Sequence, residues 1–235
     1  MRIWGIADLH LSEAQPEGRD SYAVRWKDHV QKIRRNWEES VDRSDLVVLP
    51  GDISMAINHR SVQPDLEWLA RLPGTKLISP GNHDRWWNDQ NKVQSMFRPG
   101  QFALEGSAVE VAGVIVCGAR GCSPEPDVPE IVVRRELASL DLALAQARAI
   151  RQPGQPLYVL WHYPPHDRRG RPGPVVDRLI EAQVTCCTFG HVHQLGQWSS
   201  LVLGMRDGIK YSCVAADAIG FRPLRLDTVA VTPRR

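Results

Sequence analysis

Short apolar runs alternate along the chain with longer segments in which apolar residues recur at helical spacing. Helical spacing predicts one helix over about 26–41, a shorter one beginning near Pro64, and a long one over about 130–150. The apolar runs predict buried strands, because several of them are continuous rather than alternating. Before residue 190 these runs lie at 2–7, 46–49, 76–79, 109–111, 114–117, 157–161 and 185–189.

The chain after residue 195 becomes β-like again. Its apolar runs predict antiparallel strands added to a mostly α/β body, at 198–203, 209–213, 224–226 and 228–231. The loops at 12–21, 118–128 and 163–174 are rich in proline, glycine and charge, but none separates two apolar cores. We therefore expect residues 1–235 to form a single domain with a layered α/β architecture.

Polar residues that can bind metal ions follow directly after five of the predicted strands. In chain order these residues are Asp8 and His10, Asp52, Asn82 with His83 and Asp84, His162, and His191 with His193. Ligands bind at the carboxyl edge of an open α/β sheet, which is where these residues are expected to meet. A single motif of this kind is usually a turn or a cap. Five in succession, each after a strand, indicate a metal site instead.

The ligand types narrow the choice of metal. Imidazole, carboxylate and an asparagine carbonyl suit Mn²⁺, iron, Zn²⁺ or Co²⁺, whereas iron–sulfur clusters and copper(I) would need thiolates in the set. Seven candidate ligands are too many for one catalytic ion that keeps an open position, namely Asp8, His10, Asp52, Asn82, His162, His191 and His193. They suffice for two ions about 3.5–4 Å apart if one carboxylate bridges them, an arrangement that suits attack on a phosphoryl group.

Taken together and in order, these motifs resemble the signature blocks of the calcineurin-like metallophosphoesterases. The matching residues are Asp8-x-His10, Gly51-Asp52, Gly81-Asn82-His83-Asp84, His162 and Gly190-His191-x-His193. The match runs from residue 8 to residue 193 and covers most of the chain. The resemblance implies a four-layer α/β/β/α sandwich with mixed sheets and no separate cap domain. The segments 81–87 and 161–165 are further similar to a compact group of bacterial predicted phosphohydrolases.

The resemblance also implies a role for each motif residue. It implies two ligand sets joined by one carboxylate: Asp8, His10 and His193 for the first ion, Asp52 as the bridge, and Asn82, His162 and His191 for the second ion. His83 is then free of metal, and it would contact the phosphate or protonate the leaving oxygen. Asp84 would orient the His83 ring. Manganese is the expected metal, with iron, zinc or cobalt as alternatives.

Several residues near these motifs are candidates for the substrate side of the site: Arg85, Trp86, Trp87, Arg120 and His166. The two tryptophans either form an aromatic wall for an esterified group or pack beneath the next helix. Arg120 either reaches a phosphate or lies in solvent. His166 belongs to a basic loop, with Arg168, Arg169 and Arg171, that either clamps the substrate or is simply solvated.

The composition limits which binding partners and which cellular compartment we expect for the protein. The 29 Lys and Arg residues nearly balance the 27 Asp and Glu residues, and the formal charge of +2 does not indicate general binding to nucleic acid or to a membrane. The five cysteines are odd in number and include no C-x-x-C pair, so we expect free thiols in a reducing, cytoplasmic environment. No apolar run approaches the roughly 20 residues of a membrane span. No protein partner is implied.

We therefore expect a metal-dependent phosphoesterase that uses a hydroxide bridging two metal ions, with small phosphodiesters as the favoured substrates. The motifs offer few cations beyond the metals for a phosphomonoester dianion. A phosphomonoesterase built on the same site is the first alternative. A catalytically weak binding scaffold of the same fold is the second, although the presence of His83 disfavours it. A nuclease is disfavoured too, because the charge indicates no basic track for a strand.

Overall fold

The computed structural model describes residues 1–11 and 26–227 of the chain. Its helices are α1 (His29–Ser40), α2 (Gln63–Arg71), α3 (Gln90–Met96), α4 (Glu130–Ile150), α5 (Pro174–Glu181) and α6 (Leu195–Trp198). Its strands are β1 (Ile3–Gly5), β2 (Leu46–Pro50), β3 (Thr75–Ser79), β4 (Gln101–Ala103), β5 (Ser107–Val111), β6 (Val114–Ala119), β7 (Leu157–Trp161), β8 (Cys186–Phe189), β9 (Gly204–Arg206), β10 (Ile209–Cys213) and β11 (Leu224–Arg225).

The strands form two sheets of mixed direction. The first sheet has the order β11-β1-β2-β3-β4, and the second has the order β5-β6-β7-β8-β10-β9. Strands β1 to β4 run parallel to one another, as do β6, β7, β8 and β10. The antiparallel strands β11, β5 and β9 lie at the sheet edges. The parallel part of each sheet therefore brings several carboxyl strand ends to one side.

Alternation of side chains along the buried strands builds the layers of the fold. In β2, Leu46 and Val48 belong to an apolar layer between the two sheets, whereas Val47 and Leu49 pack with α1 and α2. Strand β6 alternates in the same way between that central layer and a cluster that includes α4 and α5. The layers are thus helices, first sheet, second sheet and helices. This arrangement confirms the α/β/β/α sandwich with mixed sheets that the motifs implied.

The region after residue 195 differs from the sequence prediction. The run 198–203 is not a strand, because α6 ends at Trp198, whose indole N–H donates to the Val192 carbonyl at 2.8 Å. Asp207 and Gly208, both with positive φ, instead form the turn of a hairpin between β9 and β10. Strand β10 pairs in parallel with β8, so it extends the parallel part of the second sheet rather than adding an antiparallel strand there.

Some short elements have weak signals in the sequence. Strand β4 has only three residues, and α3 buries only Val93. Helix α5 begins at Pro174, directly after a loop rich in proline and glycine, so its short apolar stripe is hard to recognise in the sequence. Local patterns of this length do not distinguish an element from a loop.

Parts of the sequence prediction remain predictions. The expected strand 228–231 and the loop 12–21 lie outside the described residues. That residues 1–235 form one domain also stays a prediction. Among the helices of the described ranges, none is long and apolar enough to cross a membrane.

Candidate metal centre

The predicted motifs lie where parallel strands of both sheets end. Asp8, Asp52 and Asn82 follow β1, β2 and β3 of the first sheet, while His162 and His191 follow β7 and β8 of the second. At Asp8, Asp52 and His191 the backbone has positive φ values of 56°, 54° and 70°. This left-handed conformation is uncommon for residues other than glycine and is concentrated at functional sites. Both sheets therefore contribute to one site.

Two glycines allow the carboxylates to approach the backbone closely. A Cβ atom at Gly81 would lie 2.1 Å from Asp52 Oδ1, and one at Gly190 would lie 2.0 Å from Asp8 Oδ2. Any side chain at either position would displace the carboxylate. The glycines that begin the Gly-Asn-His-Asp and Gly-His-x-His motifs are therefore required for the placement of Asp52 and Asp8.

Asp8, His10 and His193 form a first group of possible metal ligands. The His193 Nε2 atom lies 3.2 Å from Asp8 Oδ1 and 3.4 Å from His10 Nε2. The His10 Nε2 atom lies 4.0 Å from Asp8 Oδ1. These atoms are close enough together to hold one ion. The structure thus brings together the set implied for the first metal.

Asn82, His162 and His191 form a second group. The Asn82 Oδ1 atom lies 2.9 Å from His162 Nε2 and also 2.9 Å from His191 Nδ1. His162 is fully buried, while Asn82 and His191 are partly exposed at the mouth of the site. Three donor atoms from three strand ends therefore meet at one position, as implied for the second metal.

Asp52 lies between the two groups. Its Oδ2 atom is 3.4 Å from His162 Nε2 in the second group and 3.9 Å from His10 Nε2 in the first. Such a position suits a carboxylate that bridges two ions. Asp8 is also close to both halves of the site, because Asp8, Asp52 and His162 form a further group that could hold an ion.

The hydrogen bonds of the histidines test whether these residues fit a metal. The His162 Nδ1–H donates to the Pro50 carbonyl at 2.9 Å, and the His193 Nδ1–H donates to Asp217 Oδ1 at 3.0 Å. In each neutral ring, the Nε2 lone pair therefore faces acceptor atoms of the site. Acceptor atoms that face one another repel unless a proton or a cation lies between them. Metal-binding histidines are commonly oriented by a hydrogen bond from their other ring nitrogen, as His162 and His193 are here. The residues fit divalent metal ions.

The buried charges of the cluster shift its pKa values. Burial lowers the pKa of His162, but the charge of Asp52 and a hydrogen bond to it outweigh burial and raise that pKa to about 9. Burial also lowers the pKa of His193, but hydrogen bonds to Asp217 and Asp8 raise it to about 10. In the absence of metal, both rings are therefore protonated on both nitrogens at neutral pH. A metal ion has to displace these protons to bind.

The structure corrects the role expected for Asp84. Its Oδ1 atom accepts hydrogen bonds from the backbone N–H groups of Ile53 and Ser54 at 2.9 and 3.1 Å, and its Oδ2 atom accepts one from Gly81 at 2.8 Å. Within the described residues, this carboxylate makes no hydrogen bond to the His83 ring. Burial raises the pKa of Asp84 to about 6. Asp84 joins the loop after β2 to the loop after β3 and does not orient His83.

Trp86 and Trp87 pack in the core. Their exposed fractions are 1% and 3%, and both belong to the apolar cluster that includes α1 and α2. The Trp86 indole N–H donates to Asp84 Oδ1 at 3.1 Å, and the Trp87 ring packs edge-on against Phe97 with centroids 6.1 Å apart. The segment after the Gly-Asn-His-Asp motif thus folds back beneath the site. The interpretation of these tryptophans as an aromatic wall for the substrate is wrong.

A cavity of about 290 Å³ opens beside the candidate metal ligands, and we call it the metal-side cavity. The residues that line it are Asp52, His83, Arg168, His191, Val192, His193, Gln194 and Gln197. The His83 ring lies on its wall, with its centroid 5.4 Å from that of His10. His83 is therefore next to the ligand groups without belonging to either.

The candidate arginines differ in whether they line the metal-side cavity. Arg85 is exposed and does not line the metal-side cavity. Arg120 does not line it either, because its guanidinium donates to the Trp87 carbonyl at 3.3 Å and lies 4.0 Å from the Glu105 carboxylate. Arg168, which the sequence identified only as part of a basic loop, does line the cavity.

Sequence reasoning missed several residues of the site. Asp217, the partner of a ligand histidine, follows β10 by four positions, so the polar strand-end signal that found the other motifs applies to it as well. Gln194 and Gln197 line the cavity directly after the last motif. The Tyr163 ring lies against that of His191, with centroids 4.2 Å apart. Spacing in the sequence gives no signal for that contact.

A family model described as calcineurin-like phosphoesterase matches residues 1–195 of the chain. The chain belongs to this family. The matched range includes every motif residue from Asp8 to His193, so the resemblance read from the motifs is confirmed.

Two curated relatives of the chain are gene 66 proteins of mycobacteriophages. The chain is 37% identical over 86 residues to the protein of Mycobacterium phage D29 and 28% identical over 81 residues to that of Mycobacterium phage L5. The aligned parts cover 35% and 34% of this chain, and 40% and 39% of the phage proteins. The chain therefore spans about two fifths of the length of these relatives.

Two solved structures are similar to nearly the whole chain. A phosphopantetheinyl hydrolase from Mycobacterium tuberculosis has a TM-score of 0.55 and 13% identity, and the likeness covers 100% of this chain and 98% of that one. A protein of unknown function from Aquifex aeolicus has a TM-score of 0.45 and 14% identity, with 95% of each chain covered. At 13% identity the likeness to the hydrolase shows the fold alone, and that fold agrees with the layers described above.

Proposed function

We propose that this chain is a two-metal phosphoesterase that hydrolyses small phosphodiesters. The observation that best supports this proposal is the position of the Asp52 carboxylate between two groups of ligands. The two groups are Asp8, His10 and His193 for the first ion, and Asn82, His162 and His191 for the second. Two bound ions supply the charge that lowers the pKa of a water molecule and neutralises phosphoryl oxygens.

The neighbouring residues of the chain prepare the site for the substrate. The backbone N–H of His83 donates to Asp52 Oδ1 at 2.8 Å, which leaves Asp52 Oδ2 directed at the ligand histidines. The His83 ring lines the metal-side cavity, where it can move a proton onto the leaving oxygen. Arg168 lies on the same wall and can pair with a phosphoryl oxygen.

The charges around the metal-side cavity favour a phosphodiester. A diester carries one negative charge, whereas a monoester dianion needs more cationic neutralisation. In the described part of the chain, Arg168 is the one lysine or arginine that lines the cavity, and its side chain is 70% exposed. A phosphomonoesterase on the same ligands is the first alternative, and a catalytically weak binding scaffold is the second.

The metal and the compartment are also part of this proposal. Imidazole, carboxylate and amide donors suit manganese, with iron, zinc or cobalt as alternatives. The five cysteines are all buried free thiols, which supports a reducing, cytoplasmic environment. We propose a small phosphoester as the substrate, with no general binding to nucleic acid.

Hydrolysis by metal-stripped and Mn²⁺-reconstituted protein tests the proposal. Chelation should abolish turnover of bis-p-nitrophenyl phosphate, and Mn²⁺ should restore it. The kcat/KM for this diester should exceed that for p-nitrophenyl phosphate under the same conditions. A ratio well below one would support the phosphomonoesterase instead. Metal-loaded protein without activity on either ester would support the scaffold, and full activity after stripping would refute the metal site.

A further inference from the structure

A second cavity of about 80 Å³ adjoins the metal-side cavity, and we call it the side cavity. The two cavities share Arg168, His191, Val192 and Gln197. The side cavity is further lined by residues of the segments 123–125, 164–167 and 200–201. The two cavities therefore border the same four side chains, so the side cavity lies next to the place where a phosphoryl group would bind.

His166 lines the side cavity and is 4% exposed. Neither of its ring nitrogens has a hydrogen-bond partner among the described residues. The ring is held edge-on against Tyr211, with centroids 4.9 Å apart, and the His166 backbone bridges to Pro172. A buried imidazole with both nitrogens unpaired costs free energy that a ligand can recover. The His166 ring is thus packed against Tyr211, and the partners of its nitrogens have to come from whatever fills the cavity.

Other polar groups of the side cavity already have partners within the protein. The Glu125 carboxylate accepts from the Arg168 backbone N–H at 3.1 Å and lies 3.7 Å from its guanidinium. The Asp167 carboxylate accepts from the backbone N–H groups of Arg169 and Arg171 at 2.8 and 2.9 Å. These bonds build the loop itself. Among the described residues, His166 is thus a buried polar side chain of this cavity whose two ring nitrogens are free to pair with a bound molecule or with water.

We propose that the side cavity is a subsite for one ester group of the phosphodiester, and that it selects a short aliphatic group carrying hydroxyls. A neutral imidazole offers one donor and one acceptor, which hydroxyl groups can match. Pro124, Pro164, Val192 and Leu201 provide apolar walls for the carbon chain. The volume of about 80 Å³ is above the roughly 15 Å³ that a cavity needs to hold one water, and it is small enough to suit a short chain.

The subsite makes His166 a specificity-determining residue, and it rests on the proposed function because the phosphoryl group has to lie at the metals. Sites that form hydrogen bonds to a hydroxyl discriminate against the analogue that lacks it. Binding of two phosphonates measures this discrimination without turnover, because they resemble the monoester product that keeps this ester group and they are not hydrolysed. The probes are 2,3-dihydroxypropylphosphonate and propylphosphonate, titrated by calorimetry into Mn²⁺-loaded protein.

The wild-type protein should bind the dihydroxypropyl compound about tenfold more tightly than the propyl compound. His166→Phe should bring that ratio close to one, while His166→Asn, which keeps polar atoms, should retain part of it. His59→Phe is the matched control, because His59 lines neither cavity, and it should leave the ratio unchanged.

Two results would overturn the inference in distinguishable ways. If both phosphonates bind equally to the wild-type protein, or if His166→Phe keeps the tenfold ratio, the subsite is refuted while the phosphoesterase proposal stands. If neither phosphonate nor inorganic phosphate binds to the metal-loaded protein, the proposed function fails and the subsite fails with it. A wild-type ratio near one refutes the subsite even if the variants do not fold.

Discussion

Replacing His83 by alanine should reduce the rate while leaving the metal site intact. The ring of His83 lines the metal-side cavity, but the contact of this residue with the ligand Asp52 is through its backbone N–H at 2.8 Å. Alanine keeps that N–H, so Asp52 stays oriented. We therefore expect an unchanged metal content and an unchanged free energy of unfolding within experimental error.

The size of the rate loss follows from the role given to the ring. A positioned acid–base group contributes roughly 10²–10⁴ in rate, which is about 3–5 kcal/mol in activation free energy. A leaving group that is already a good one needs little protonation. His83→Ala should therefore lose the full factor on alkyl leaving groups and less than about tenfold on p-nitrophenyl ones.

The assay compares kcat/KM across phosphodiesters whose leaving groups increase in pKa, at saturating Mn²⁺ and constant pH. The plot of log kcat/KM against leaving-group pKa should be steeper for His83→Ala than for the wild-type protein. His59→Ala, at a histidine outside the cavity, should match the wild-type slope. Equal losses on all leaving groups would refute the proton-transfer role and indicate that the ring binds phosphate. Loss of metal would show that His83 is a ligand.

Three further predictions concern the metal ligands. Asp52→Asn should lower the occupancy of both ions, measured by metal analysis, because this carboxylate lies between the two groups; loss of one ion alone would show that it does not bridge. Asp217→Asn should weaken binding of the first ion by roughly 10–100-fold, because Asp217 orients His193. It should leave the affinity for the second ion unchanged in a calorimetric titration. Affinity for each ion should rise with pH by up to about tenfold per unit. The rise should end near pH 9 for the second ion, which His162 would bind, and near pH 10 for the first, which His193 would bind, because each ring has to lose a proton at its raised pKa. Calorimetry in buffers of different ionisation heat should count the protons released, and a count of zero at pH 7 would contradict the prediction.

The sequence could predict which side chains come together, because each candidate ligand stands at or just after the end of a buried strand. Continuous apolar runs such as 46–49 and 157–161 identify strands covered on both faces, and parallel strands bring their carboxyl ends to one side. Polar residues at those strand ends are therefore expected to lie close together. Only the approximate positions of the strands matter, so an error of a residue or two in a strand end does not change which side chains come together.

The surroundings of the ligands could not be predicted in the same way. The burial of Trp86 depends on how the loop folds back onto Asp84, which in turn is set by hydrogen bonds to Ile53 and Ser54. Those contacts join segments about thirty positions apart and leave no periodic signal. The same holds for the placement of Arg168 on the cavity wall, since a basic loop has the same composition whether it faces solvent or substrate.

A titration of metal-stripped protein with Mn²⁺, followed by calorimetry and by phosphodiesterase activity at each step, tests the two-metal site most directly. We predict that two ions bind per chain and that activity follows occupancy of the second. The positions of Asp52 Oδ2, at 3.4 Å from His162 Nε2 and 3.9 Å from His10 Nε2, lead to this expectation. Full activity with one bound ion per chain would contradict it.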